Sequence, residues 1–211
     1  MSIKSHVVIT GTGRAGTTFL VELLTNLGFD TGFSVNDIVS KKHKVARAGL
    51  EHDLRRENCP FIVKGFFLEE ELNRDDIVIQ HVFIPVRDLY AAAESRRYVT
   101  RDSISKSPFL KRLKYMIRPK RFKGGLVETH SVKQGNQERE LLNLIYKLIL
   151  ALSNTSIPVT FMRYPRIVKD CSYLFNKLKP ILKDISYEYF LAAFNKTVHP
   201  ELVHSFSEED K

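Results

Sequence analysis

Residues 6–19, "HVVITGTGRAGTTF", combine an apolar run with a glycine-rich turn and two threonines. Gly11 and Gly16 stand five positions apart and Thr18 follows, the spacing of a loop that cradles phosphate with backbone N–H groups. The nucleoside-triphosphate version places lysine directly after the second glycine, but here that position is Thr17. Backbone N–H groups at a helix N-terminus attract anions even without that lysine. A cation is still at hand in Arg14, two residues before Gly16. Gly11, Thr12, Gly13, Arg14, Ala15, Gly16, Thr17 and Thr18 are therefore read as an anion-binding loop.

Other reactive side chains fall at the ends of apolar runs. Lys64 ends "FIVK", and Arg87 follows "IVIQHVFIPV", with Ser95 eight residues later. Arg87 offers a bidentate fork to phosphate, and Ser95 a hydroxyl donor. The polar segment "ARAGLEHDL" holds two candidate bases, Glu51 first and His52 second. Glu22 lies about one turn inside the first helix, and His81, inside an apolar run, reads as a core histidine. Cys59 and Cys171 show no metal-ligand spacing and read as free thiols.

Charge is concentrated rather than spread. The net charge is +9, and residues 103–127 contain no acid but eight bases: Lys106, Lys111, Arg112, Lys114, Arg118, Lys120, Arg121 and Lys123. Such a block suits an anionic ligand or surface. No apolar run approaches the roughly 20 residues that span a bilayer. The amino-terminal residues enter a strand at once and show no secretory signal pattern, so the expectation is a cytoplasmic protein.

The elements that position these residues follow from periodicity. Strands are predicted over 6–10, 61–64, 77–86 and 158–163. Helices are predicted over 17–28, 34–57 in two pieces, 88–100 with Asp88 as N-cap, 108–117, 137–154, 165–183 and 187–195. Alternation of strand and helix predicts one α/β domain over 1–211, with a basic insertion or lid around 103–127. Its architecture is three-layer α/β/α, with a central parallel sheet of about four to five strands and the loop after the first. Ligands of such sheets bind beyond the carboxyl ends of the strands, where the loop, Lys64 and Arg87 converge.

"RAGTT", Arg14–Thr18, resembles the 5′-phosphosulfate loop of the sulfotransferases that use 3′-phosphoadenosine-5′-phosphosulfate (PAPS), whose loop reads roughly [KR]-x-G-T-[TS]. Arginine at its first position is similar to the tyrosylprotein and several bacterial carbohydrate branches. That family holds the 3′-phosphate with a strand-end arginine and a serine eight residues on, which match Arg87 and Ser95. The proline common two residues after that arginine is replaced by Leu89. The Lys-Thr-His strand end of the cytosolic members keeps only its lysine, as Lys64, followed by Gly65 and Phe66. "MRYPRIVKDCSYLF" is similar to the late strand-to-helix segment of the superfamily. "RFKGG" at 121–125 loosely resembles the Arg-Lys-Gly loop that closes over the 3′-phosphate, giving Arg121 and Lys123 that role; a phenylalanine interrupts it and it comes early in the chain.

The resemblance implies transfer of a sulfuryl group from PAPS, as co-substrate, to a hydroxyl or amine acceptor such as a carbohydrate or small metabolite. Arg14 and Lys64 would stabilise the transferring group, and Glu51 or His52 would take the acceptor proton. No metal is needed in that scheme. Two alternatives stay open. A P-loop kinase or nucleotide hydrolase would use ATP and Mg²⁺, with Asp88 as its strand-end aspartate; Thr17 in place of lysine argues against it. A non-catalytic basic domain that binds nucleic acid or an anionic surface would use residues 106–123, where Phe109, Tyr115 and Phe122 are interleaved with the charges, though no nucleic-acid-binding motif is present.

Overall fold

The computed structural model describes residues 4–41, 49–54, 56, 58–67, 69–105 and 135–200. The strands are β1 (Lys4–Ile9), β2 (Ile62–Lys64), β3 (Ile77–Val86) and β4 (Val159–Arg163). The helices are α1 (Thr17–Asn26), α2 (Val35–Lys41), α3 (Glu69–Leu72), α4 (Leu89–Ser105), α5 (Asn136–Ser153), α6 (Cys171–Leu182) and α7 (Tyr187–Thr197), with a 3₁₀ turn at Arg166–Val168.

The four strands form one all-parallel sheet in the order β2-β1-β3-β4. Parallel strands need crossovers that cover the sheet faces, so the central strands are apolar where they are buried, at Val7–Ile9 and Val82–Ile84, while the edge strand β4 leaves Phe161 exposed. Side chains alternate between the faces. Val7, Ile9, Ile62, Phe83 and Met162 pack with Leu20 and Leu24 of α1, Leu174 and Leu178 of α6 and Phe190 of α7. Val8, Val63, Val82 and Ile84 pack with Leu148, Ala151 and Leu152 of α5 on the other face. Each fully buried side chain of this size contributes about 1.5–3 kcal/mol. The helix α4 lies on α5, with Ala92 and Ala93 against Leu141.

This topology fixes where a ligand can sit. The chain leaves β1 for α1 on one face and leaves β3 for α4 and α5 on the other. Adjacent parallel strands whose connections part in this way open a crevice at their carboxyl ends. Here that crevice lies between residues 10–16 and Arg87.

Several expected elements differ. Residues 34–57 were expected to form two helical pieces, but only α2 is helical among the described residues. Gly49 and Leu50 have φ of 129° and 65°, outside helical geometry, and the His52 amide donates to the Lys64 carbonyl at 2.8 Å. That polar segment has no apolar stripe to bury as a helix, so it runs beside the end of β2 instead. The helix expected over 165–183 begins only at Cys171. Pro165, after a cis peptide bond, opens the single 3₁₀ turn, and the Asp170 carboxylate then caps α6 by accepting from the Tyr173 amide at 2.8 Å. The short α3 was not expected at all. The helix expected at 108–117, together with Arg121, Lys123 and nearly all of the basic stretch, lies outside the described residues. No helix among the described residues is long and apolar enough to cross a membrane.

Candidate anion-binding site

The loop after β1 is bent by unusual backbone angles. Its turn into α1 is Gly16, with φ 90° and ψ 13°, and no side chain caps the helix. A Cβ on Gly16 would lie 2.9 Å from Ile167 Cδ1 and 3.0 Å from Tyr164 Cδ2, so the loop is pressed against the turn after β4. Arg14 is left-handed at φ 59°, although it has a side chain. That conformation costs a non-glycine residue about 1–2 kcal/mol, and such strain concentrates where a site requires a fixed shape.

Three guanidinium groups meet this loop. Arg14 Nε donates to Ser95 Oγ at 3.1 Å, and Ser95 is 1% exposed. Arg87 Nη1 donates to the Arg14 carbonyl at 3.2 Å and its guanidinium lies 4.9 Å from the centre of the Tyr164 ring. Arg96 Nη1 donates to the Thr12 carbonyl at 3.2 Å. Loss of solvent lowers the pKa of all three. Arg14 is pushed down further by Arg87, against a smaller pull from Tyr164. Arg87 is partly restored by Tyr164 and Asp88. Arg96 is brought down to about 10 by burial and then by Arg14, with Glu140 opposing. Cations crowded and desolvated in this way make a positive well that favours an anion.

A fourth cation approaches from β2. Lys64 is 5% exposed, and its Nζ donates to Thr18 Oγ1 at 2.8 Å, to Glu51 Oε1 at 2.9 Å and to the Gly49 carbonyl. Burial lowers the Lys64 pKa, while the Glu51 carboxylate works against that. An ammonium thus stands on the first turn of α1, one residue beyond Thr17, but it comes from another strand.

The structure brings Gly11–Thr18, Arg14, Arg87 and Ser95 together, and joins Lys64 to Thr18 and Glu51 to Lys64. His52 is engaged elsewhere: Nε2 lies 2.9 Å from the Thr31 carbonyl, and its ring stacks on Phe33 at 4.7 Å. His81 bonds Thr160 Oγ1 at 2.7 Å and packs on Phe83, a core placement whose burial lowers its pKa. The Asp88 carboxylate accepts from the Ala91 amide at 2.9 Å, capping α4. Cys59 and Cys171 are free thiols. Sequence reasoning missed Arg96, because "ESRRY" presents two adjacent arginines with nothing to separate them. Neither protein-family models nor curated proteins give a match to this chain.

Proposed function

We propose that this chain is a PAPS-dependent sulfotransferase. The observation that carries the reading is the meeting of Arg14 with Ser95 and Arg87, which lie 81 and 73 residues further along the chain, on a phosphate-type loop without its lysine. PAPS bears a phosphosulfate and a 3′-phosphate on one ribose, so its protein must offer two anion subsites side by side. Arg87 and Ser95 supply one, the loop amides and Arg14 the other, and Arg14 touches both halves.

In this reading an acceptor oxygen or nitrogen attacks sulfur, and the bond from sulfur to the bridging phosphate oxygen breaks. Arg14 and Lys64 stabilise the charge that builds on the leaving oxygens. Glu51, half exposed and bonded to Lys64 at 2.9 Å, takes the acceptor proton. A chain of this kind serves a hydroxylated small molecule or glycan.

Thermal unfolding tests the reading. A ligand at 100 times its Kd adds about 2.7 kcal/mol, which for this size moves the midpoint by roughly 5–11 °C. 3′-Phosphoadenosine 5′-phosphate is expected to give that shift, and Arg87→Ala to remove it. A shift with ATP and Mg²⁺ alone would identify a nucleotide kinase or hydrolase instead.

A further inference from the structure

A guanidinium carries five N–H donors and keeps its charge at neutral pH, so a desolvated one requires acceptors or a counter-charge. Arg97 and Arg96 stand side by side on α4 and differ sharply in this respect. Arg97 is 1% exposed and is met by Glu94 at 2.8 Å and Glu138 at 2.7 Å. Arg96 is partly buried and spends one donor, on the neutral Thr12 carbonyl at 3.2 Å. Among the described residues no carboxylate lies within 4.0 Å of it, and Glu140 acts on it only from further away. The stronger charged influence on it is Arg14, which is of like sign.

We propose that Arg96 is a direct ligand of the bound anion, completing with Arg14, Arg87 and Ser95 the subsite for a phosphoryl or sulfuryl group at the loop mouth. Arg96 is the neighbour of Ser95 in sequence, and Ser95 already receives Arg14 Nε, so both arginines belong to the side of the loop facing α4. In PAPS this is the side of the 3′-phosphate. The inference deepens the function proposed above and rests on it for the nucleotide, though not for the anion.

A desolvated cation without a counter-ion is a cost to the free protein and a gain to the complex. Neutralising Arg96 is therefore expected to leave the free protein as stable or more so, while weakening the ligand. A strut that merely held Thr12 would behave the opposite way. The full chain, Arg96→Gln and Arg96→Lys are compared by calorimetric titration and thermal unfolding, with 3′-phosphoadenosine 5′-phosphate, adenosine 5′-phosphate and inorganic pyrophosphate. A hydrogen-bonded charged pair predicts roughly ten- to hundredfold weaker binding of the 3′,5′-bisphosphate to Arg96→Gln. Adenosine 5′-phosphate should lose much less, and Arg96→Lys should recover part of the loss. Unchanged affinity in Arg96→Gln overturns the proposal, as does a lowered midpoint of the free variant with equal losses for both nucleotides. If the bisphosphate does not bind the parent chain but pyrophosphate does, and Arg96→Gln abolishes that, the anion role stands and the PAPS reading falls. If neither binds the parent chain, both fall.

Discussion

Replacing Gly16 by alanine tests how tightly the loop is fitted to the turn after β4. Two costs are legible. The residue sits at φ 90°, where a Cβ adds about 1–2 kcal/mol. That Cβ would also meet Ile167 Cδ1 at 2.9 Å and Tyr164 Cδ2 at 3.0 Å, an overpacking of about 1–3 kcal/mol. A total of about 3 kcal/mol corresponds to a midpoint lowered by roughly 6–12 °C in a chain of this length. Gly13 supplies the control, since it shares the positive φ, 76°, but a Cβ there meets nothing within 4 Å. Gly13→Ala should cost the conformational part alone, about 1–2 kcal/mol, or roughly 2–8 °C. Ile167→Val deletes the atom in closest conflict, so Gly16→Ala combined with it should be less destabilised than the sum of the two single changes, by about 1 kcal/mol. The assay is thermal unfolding followed by circular dichroism on the parent and these four variants. Equal losses for the two glycine variants, or strict additivity in the double variant, would refute the packing argument.

Two further outcomes follow from the ion pairs. Arg97→Met leaves Glu94 and Glu138 without the buried guanidinium that joins α4 to α5, and should cost about 3 kcal/mol, roughly 6–12 °C in midpoint. Hydrogen bonding to Arg97 holds the Glu138 carboxyl below its ordinary 4.5. That stabilisation is present above 4.5 and lost as pH falls through the folded value, so acid unfolding curves should fall less steeply in the variant. An unchanged acid limb would deny the coupling. Lys64 gives a slope of the same sign in an alkaline window: burial holds its folded pKa below 10.5, so the unfolded chain binds more protons between the two values and stability rises with pH there. Urea unfolding across that alkaline window should show this rise in the parent relative to Lys64→Met. The comparison cancels Cys59 and Cys171, whose raised pKa values act in the other direction.

What the sequence disclosed divides by physical range. The strand β3 is continuously apolar over Val82–Val86, where Val82, Phe83 and Ile84 are buried on its two faces, and α5 shows its stripe because only one of its faces is covered. The loop is legible because its backbone needs glycine at the turn into α1, a purely local demand. Residues 49–54 were misread because their conformation is set by distant partners: the Lys64 carbonyl for the His52 amide, and Lys64 Nζ for Glu51. The same limit explains Arg96. It and Arg97 are the same residue type at consecutive positions, and a helix separates consecutive side chains by about 100°. That rotation sends Arg97 between α4 and α5, to two carboxylates supplied by the chain. It sends Arg96 to the Thr12 carbonyl, beside another arginine. No local pattern distinguishes the two; the sheet order does, by bringing the β1 loop against α4 and α5 against its other side. Among the described residues Arg97 therefore has two carboxylates against it and Arg96 has none within 4.0 Å, the difference on which the anion role proposed for Arg96 rests.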